Sequence, residues 1–391
     1  MTEPTATTTP STLELHTLNR PWCTEYYVTA AVVDPRPDVD AARACYAELA
    51  ELVASHAIEP IQEKIYGHID IRRDVLAARA TEFRARGLDA ALPVTFIEGG
   101  PAGGGRFAGV QLWGMSGAAP GVTSVRTVAG PRGFAGRLWT GPGFRMLYQP
   151  CVRGDHADGT MPDCPSGQAR RMFANATADL ATHGFTYPQV IRTWIYLARL
   201  LDWYGEFNHV RTAHHSAVGL GGDASRAVFP ASTGIQGTPG DAECCMDVLA
   251  LDADSGDAFR VQPILGSRRQ PPAYSYGSAF SRGLALEMDG RKIVYVSGTA
   301  SIDREGRSIH VGDPEAQTFE TLLNIASLLE DQGGDLANIC MATLFCKNRE
   351  AYDAYRRVTQ LLKAPTFPTI PVHADVCRGD LLVEIEAVAL I

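Results

Sequence analysis

The stretch Leu381-Leu382-Val383-Glu384-Ile385-Glu386-Ala387-Val388-Ala389-Leu390 decides how the chain folds. Side chains alternate between the two faces of a strand, so Val383 and Ile385 point one way while Glu384 and Glu386 share the other face. The apolar side predicts a strand that covers a core. The acidic side has two interpretations. It is either the solvated face of an edge strand, or a poorly hydrated carboxylate pair in which like charge raises one pKa, as a general acid requires.

The same order of elements recurs in each third of the chain. A hairpin is followed by an amphipathic helix, a strand, a second helix, a proline-containing extended segment and a closing strand. Such a repeat predicts an α+β fold of tandem domains, each a mixed β-sheet with two helices packed on one face. The predicted divisions are a disordered tail at 1–14 and three repeats at 15–120, 137–265 and 278–391.

Composition excludes several classes of function. The 391 residues carry a net charge of -9 and no basic run longer than two residues, so no nucleic-acid partner is predicted. No apolar stretch approaches 18 residues, so no membrane span is predicted. The nine cysteines indicate reduced thiols and a cytoplasmic location, and the Thr/Pro-rich start is not a signal peptide. The absence of tight ligand spacings predicts no metal, and we predict no cofactor.

The element order and the closing Val-Glu-Ile-Glu-Ala-Val-Ala motif resemble the RidA/YjgF (Rid) superfamily, whose domains have a chorismate-mutase-like fold. The resemblance implies a pocket between subunits of a trimer or, with three repeats in one chain, an internal pseudo-trimer. The superfamily's enamine/imine deaminases bind the substrate carboxylate with an arginine on the penultimate strand. Alignment on the proline-containing segments places Ile370, Ser232 and Thr95 there. None of these side chains forms the paired hydrogen bonds of an arginine, which weakens a deaminase function.

A narrower resemblance to the chorismatases covers roughly 138–391. The matching residues, in order, are 192–196, Tyr204, Phe207, Arg211, 230–235, 280–282, 296–300, 310–313 and 380–386. It implies an enzyme of secondary metabolism that cleaves chorismate and releases pyruvate. Gly298 and Cys377 resemble the 3-hydroxybenzoate-forming branch, whereas alanine at both positions marks the hydrolysing branch. The first 115 or so residues depart from the family as an extra N-terminal Rid-like repeat.

The resemblance implies catalytic roles for three residues. Glu384 is the candidate acid that protonates the methylene of the enolpyruvyl group, and Glu386 either raises the pKa of Glu384 or binds a substrate hydroxyl. Cys377 shapes the pocket or holds the intermediate. No His or Lys lies near it in sequence to form a thiolate, so a covalent nucleophile is not proposed.

A small anionic substrate with two carboxylates requires arginines that converge from different segments. Arg211 and Arg282 are the best candidates, and Arg192 is next, although it could serve only in an ion pair. Tyr204 lies seven residues before Arg211, on the same side of a predicted helix. Gly298 completes the predicted substrate-binding set. Two alternatives remain: a Rid-type enamine/imine hydrolase or cyclising enzyme on another intermediate, and a non-catalytic Rid-like protein that binds a small carboxylate.

Overall fold

The computed structural model of the chain describes residues 11–32, 38–117, 120–130, 135–220, 229–237, 240–254 and 259–391. The N-terminal domain is a five-stranded mixed sheet in the order β1-β2-β5-β3-β4 with two helices. Its elements are β1 (Ser11–Asn19), β2 (Cys23–Val32), α1 (Asp38–Ser55), β3 (Glu59–Gly67), α2 (Arg72–Ala85), β4 (Thr95–Glu98) and β5 (Phe107–Gly117).

The central domain is a six-stranded mixed sheet in the order β10-β9-β11-β8-β7-β6. Its elements are β6 (Ser124–Ala129), β7 (Ala135–Gly141), β8 (Phe144–Arg153), α3 (Pro165–Thr182), β9 (Val190–Leu197), α4 (Leu200–Ala217), β10 (Ala231–Gln236) and β11 (Cys244–Ala253).

The C-terminal domain is a six-stranded mixed sheet in the order β12-β13-β14-β17-β15-β16. Its elements are β12 (Phe259–Ile264), β13 (Gly283–Met288), β14 (Arg291–Ala300), α5 (Pro314–Glu330), β15 (Ile339–Cys346), α6 (Arg349–Leu362), β16 (Thr369–His373) and β17 (Val383–Leu390). Two helices, α5 and α6, begin at side-chain caps. Asp313 accepts a hydrogen bond from the backbone N–H of Ala316, and Asn348 accepts one from that of Ala351.

The closing strand β17 has the alternation that the sequence predicts. Val383 and Ile385 are fully buried and pack with Leu322 and Ile325 of α5. Glu384 and Glu386 face away from the helices and are also buried, with 4% of each residue exposed. The α+β class with helices on one face of a mixed sheet is therefore confirmed. The solvated edge-strand interpretation is wrong, because β17 lies between β14 and β15 inside the sheet.

The faces of the three sheets that point away from the helices pack against one another around one shared core. Strand β3 contacts β7 and β8, β10 contacts β14, and β16 contacts β2 and β5. Each domain therefore contacts both others in a closed ring. Large aromatic side chains from different domains meet in this core, as in the edge-on contact between Trp113 and Trp139, whose ring centroids are 5.8 Å apart.

The strand pairing corrects three of the predicted divisions. Residues 11–14, predicted as part of a disordered tail, belong to β1, which pairs with β2 and packs Leu13 and Leu15 against the helix-side core. Residues 1–10 lie outside the described residues. Strand β12, predicted at the end of the second repeat, pairs with β13 of the C-terminal sheet, and β6, predicted as linker, pairs with β7. Local composition does not reveal which sheet an edge strand joins, because this depends on the strand with which its backbone pairs.

No helix in the described ranges combines the length and the apolar composition needed to cross a membrane. The same part of the chain contains no group of three or more His, Cys, Asp or Glu side chains arranged to hold a metal ion.

Candidate active site

A cleft that opens to solvent lies between the central and C-terminal domains, with about 550 Å³ of space between its walls and at its mouth. Helix α4 and strand β10 form one wall, and β14, β17 and the loop before β17 form the other. Six of the eight predicted site residues line it: Glu384, Cys377, Arg211, Arg282, Tyr204 and Gly298. Glu386 and Arg192 do not.

Glu384 is a buried acid in this cleft. Burial first, and then the negative charge of Glu386, raise the pKa of Glu384 from 4.5 to about 8, against the lowering effects of Arg192 and Arg282. The carboxyl group is therefore protonated at neutral pH, which is the state that a general acid needs. The alternation of β17 placed Glu384 on this face, but its burial depends on the central domain that closes over it.

Glu386 lies on the same face of β17 but borders a second, smaller cavity. Its carboxylate accepts a hydrogen bond from Arg192 at 2.8 Å and lies 3.5 Å from the ammonium of Lys64. Burial alone would raise the pKa of Glu386, but the positive charges of Lys64 and Arg192 hold it below its usual value. Of the two predicted roles for Glu386, the geometry favours raising the pKa of Glu384 over binding a hydroxyl in the cleft.

Arg192 is placed by the structure in an ion pair, not in the cleft. Besides Glu386 it bonds the hydroxyl of Thr233 at 2.6 Å, and its guanidinium stacks 4.8 Å from the Trp194 ring centroid. The prediction that Arg192 binds substrate is therefore not supported, and the alternative of an ion pair describes it. Strand alternation cannot separate these two roles, because both need the same face of β9.

Arg211 and Arg282 converge on the cleft from opposite domains. They are 1% and 2% exposed, and neither forms an ion pair with a carboxylate in the described part of the chain. Arg211 donates to Asn208 and Arg282 to the carbonyl of Pro271, but Nε of Arg211 and Nη2 of Arg282 have no hydrogen-bond partner among the residues that the structure describes. Buried guanidinium groups with unmet donors are costly unless an anion binds them. The cleft is therefore suited to a carboxylate ligand.

Gly298 lies directly against the carboxyl group of Glu384. It lies in a bulge of β14, and a Cβ atom added there would collide with the carboxylate of Glu384. Its backbone N–H donates to Thr233 Oγ1 at 3.1 Å. The absence of a side chain at Gly298 therefore leaves room for the acid.

Cys377 and Tyr204 complete the wall beside the acid. Burial, followed by the charge of Glu384, raises the pKa of the Cys377 thiol to about 12, so it remains a neutral thiol. Tyr204 stacks on Phe207, with centroids 6.1 Å apart, and burial raises the pKa of its hydroxyl.

Sequence reasoning missed Tyr276 and Arg378. The guanidinium groups of Arg282 and Arg378 lie 5.2 and 5.6 Å from the centroid of the Tyr276 ring, and all three residues line the cleft. The position of Arg378 next to Cys377 was an available signal. Tyr276 lies in a Gly/Pro-rich segment that reads as a boundary between repeats, and no local pattern indicates that it folds over the site.

The strand registers align the three domains residue by residue. Glu384 pairs with Phe345, Cys245 with Tyr196, and Gly109 with Tyr66, each at the same place in its sheet. On the penultimate strands, Thr233 is in register with Ile370 and Thr95. Each of these three residues pairs with the residue two positions before the aromatic residue of the neighbouring strand, which is Phe345, Tyr196 or Tyr66. The predicted alignment of Ser232 there is wrong by one residue. No arginine occupies this position in any domain.

Comparisons with known proteins agree with this architecture. Residues 278–391 match the family model described as Endoribonuclease L-PSP. A chorismatase of Streptomyces hygroscopicus is 29% identical over 246 residues, which cover 56% of this chain and 69% of that protein. A chorismatase of Streptomyces rapamycinicus is 29% identical over 225 residues, covering 52% of this chain and 64% of that protein. The matched segment thus spans about two thirds of each relative's length.

A solved chorismatase structure has the same fold, with a TM-score of 0.57 and 20% identity, covering 84% of this chain and 92% of that chain. The two C-terminal domains make up less than three quarters of the present chain, so this match extends into the N-terminal domain. The N-terminal domain, predicted as an extra repeat, therefore has at least a partial structural counterpart there. By sequence and fold together, the chain is similar to the chorismatases, and its C-terminal domain matches the Endoribonuclease L-PSP family model.

Proposed function

We propose that this protein is an enzyme that cleaves the enolpyruvyl ether of chorismate, releasing pyruvate and an aromatic acid of the 3-hydroxybenzoate type. The observation that carries the proposal is the buried Glu384 facing a cleft with two buried arginines that have no carboxylate partner among the described residues. Chorismate supplies the matching groups: two carboxylates for the arginines and a basic methylene carbon for the acid. The similarity to the two Streptomyces chorismatases supports the same reaction.

The first step is transfer of the Glu384 proton to the terminal methylene of the enolpyruvyl group. The methylene becomes a methyl group, and the adjacent carbon becomes an oxocarbenium ion that the neighbouring ring hydroxyl captures. Capture releases the hydroxyl proton and forms a cyclic ketal. The bond between the ring and the former hydroxyl oxygen then breaks as the neighbouring ring carbon loses its proton and the ring becomes aromatic, and the remaining hemiketal collapses to pyruvate and the phenol oxygen. Of the two protons released by the hydroxyl and the ring carbon, one protonates the phenol oxygen and the other returns to Glu384. Chorismate has the atoms of pyruvate plus 3-hydroxybenzoate, so this route consumes no water.

The neutral Cys377 thiol and the phenol of Tyr204 have packing roles in this mechanism. They line the cleft beside Glu384 and limit the space for a water molecule near the cation. Exclusion of water favours capture by the substrate's own hydroxyl over hydrolysis. This supports the 3-hydroxybenzoate branch that Gly298 and Cys377 indicate in the sequence.

The test is incubation of purified protein with chorismate, measuring pyruvate by coupled lactate dehydrogenase and the aromatic product by chromatography. We expect equimolar pyruvate and 3-hydroxybenzoate. Loss of the general acid in Glu384→Gln should lower the rate by about 100- to 10,000-fold while the variant remains folded by circular dichroism.

The outcomes distinguish the competing functions. No pyruvate from folded protein would overturn the chorismate assignment, and turnover of an enamine substrate would favour a Rid-type hydrolase. That alternative is disfavoured by Ile370, Thr233 and Thr95, which occupy the strand position where the deaminases carry arginine. Calorimetric binding of a carboxylate without turnover would identify a non-catalytic binding protein. Pyruvate accompanied by a dihydroxycyclohexadiene carboxylate would retain the family and contradict the branch.

We propose further that the chain acts as a single-chain pseudo-trimer in the cytoplasm, in a pathway of secondary metabolism. The closed ring of contacts among the three domains supports this, since the cleft is assembled from domains of one chain. Light scattering after size exclusion should give a mass near the 42.1 kDa of one chain. A mass three times larger would instead indicate a trimer of chains.

A further inference from the structure

Lys64 is a buried lysine that the predicted mechanism does not use. It lies on β3 of the N-terminal domain with 2% of the residue exposed. Its ammonium is 3.5 Å from Glu386 of the C-terminal domain and 4.0 Å from the ring centroid of Trp194 in the central domain. One side chain of the N-terminal domain thus contacts both domains that form the cleft.

The Glu386 carboxylate lies between two cations. Arg192 donates to one oxygen at 2.8 Å, and Lys64 approaches the other, which also accepts a bond from Thr343 at 3.3 Å. Ion pairs in a poorly hydrated site interact strongly because solvent screens them little. Two cations around one carboxylate keep Glu386 ionised in a place where burial alone would protonate it.

The charge of Glu386 acts in turn on Glu384. The two residues are on the same face of β17, and the negative charge of Glu386 adds to burial in favouring protonated Glu384. Other charged or titratable groups also act on the pair. Those acting on Glu384 are Arg192 and Arg282, with Cys377 and Tyr204 nearby, and those around Glu386 and Lys64 are Arg192, Asp247, Tyr66 and Tyr196.

We propose that Lys64 of the N-terminal domain is a positioning residue for the reaction: by holding Glu386 ionised, it keeps the neighbouring acid Glu384 protonated. This inference rests on the proposed function, because it assigns a role in setting the acid. Lys64 does not line the cleft and touches no substrate. The N-terminal domain would then contribute to catalysis without supplying a residue to the cleft itself.

The test is the pH dependence of kcat/KM for Lys64→Met, which preserves the length of the side chain and removes its charge. Without Lys64, burial favours protonation of Glu386, so its repulsion of Glu384 is lost and the pKa of Glu384 falls. The activity that requires protonated Glu384 should therefore be lost at a pH about one unit lower than in the wild type. The burial-lowered pKa of Lys64, about 8, lies in the same range, so the wild-type profile belongs to the coupled cluster.

Two controls separate this role from a structural one. Lys292→Met removes a lysine that pairs with Glu287 at 3.4 Å outside the cleft, and its profile should match the wild type. In the background of Glu386→Gln, adding Lys64→Met should leave the pH profile unchanged, because the carboxylate that connects the two residues is absent. A purely structural Lys64 would lower activity in both backgrounds without moving the profile, which would overturn the proposal.

A direct titration distinguishes failure of this inference from failure of the proposed function. Carboxyl NMR of protein with ¹³C-labelled glutamate, assigned by comparison with Glu384→Gln, reports the pKa of Glu384 without turnover. A lower value in Lys64→Met supports the coupling even if chorismate is not the substrate. An unchanged value in a protein that does release pyruvate refutes the role of Lys64 and leaves the proposed function intact.

Discussion

The two interfaces made by the central domain use the same backbone positions for different purposes. Where the C-terminal sheet presents Glu384 beside the bulge at Gly298, the central sheet, facing the N-terminal domain, presents Cys245 beside the bulge at Cys151. A hydrogen bond with Cys151 and burial raise the pKa of the Cys245 thiol well above its usual value. One position therefore holds a proton donor in a cleft, and its counterpart holds a packed thiol.

The hydrogen-bonding state of the two interfaces also differs. At the counterpart of Glu386, Asp247 accepts bonds from Thr95 Oγ1, Tyr148 Oη and the backbone N–H of Cys151, each at 2.7 Å. Its bonding capacity is largely used within the protein. The cleft instead has two buried guanidinium groups, Arg211 and Arg282, each with a donor that has no partner among the described residues. The two interfaces thus differ in their charged groups: the carboxylate of one is satisfied within the protein, whereas the cations of the other remain available to an anion.

Among changes that alter the interface forming the cleft, Gly298→Ala should have the largest effect on the reaction rate. The added methyl group displaces the carboxyl end of Glu384, and displacement of a catalytic group by about 1 Å can cost about 100-fold in rate. In the hydrolysing branch, alanine at this position accompanies alanine in place of Cys377, a second change that the single substitution lacks. The measurement is kcat for pyruvate release. Gly379→Ala is the matched control, because a Cβ atom there has no neighbour within 4 Å. Equal activities of the two variants would show that the bulge does not set the acid's position.

A second prediction concerns the free energy of unfolding, which the buried Glu384 lowers as the pH rises. In folded protein it keeps its proton up to about pH 8, whereas the unfolded chain releases it near 4.5. As pH rises from 5 to 8 the unfolded state binds fewer protons, so the wild type loses stability that a glutamine variant retains. Glu384→Gln should gain about 3 to 4 kcal/mol relative to wild type over this range. Urea unfolding at both pH values measures it, and a pH-independent difference would contradict the raised pKa.

Third, neutralising either cleft arginine should weaken substrate binding. Arg211→Gln and Arg282→Gln should each raise KM about tenfold, the effect of losing a charge-assisted hydrogen bond. Arg307→Gln serves as the control, since its side chain is 72% exposed and paired with Asp303 on the surface. If all three variants have the wild-type KM, the substrate carboxylates bind elsewhere.

The smallest effect is expected at the counterpart position. Cys245→Ser replaces a buried thiol by a hydroxyl of similar size far from any substrate, so kcat should change by less than about twofold. A larger change in kcat, with unaltered thermal stability, would mean that the interface between the N-terminal and central domains takes part in the reaction.

The sequence predicted well wherever a signal was local. Alternation placed Glu384 and Glu386 on one face, helical spacing placed Tyr204 and Arg211 together, and both pairs have the predicted geometry. Signals that depend on distant partners were missed or misread. Arg192 was predicted in the cleft because it lies in a segment that matches the chorismatases, but it borders the second cavity instead. Lys64 was not identified because it lies more than 300 residues from Glu386.

Patterns of apolar and polar residues over a few consecutive positions determined three features by themselves. These are the α+β repeat, the burial of Val383 and Ile385, and the placement of two carboxyl groups on one face of β17. Only the tertiary structure decided that one of these carboxyl groups is protonated and neutral while the other is ionised. Burial beside Glu386 keeps Glu384 protonated, while Lys64 and Arg192, from two other domains, keep Glu386 ionised. Charge in a protein interior depends on what surrounds a group in space, and that environment is assembled from all three domains.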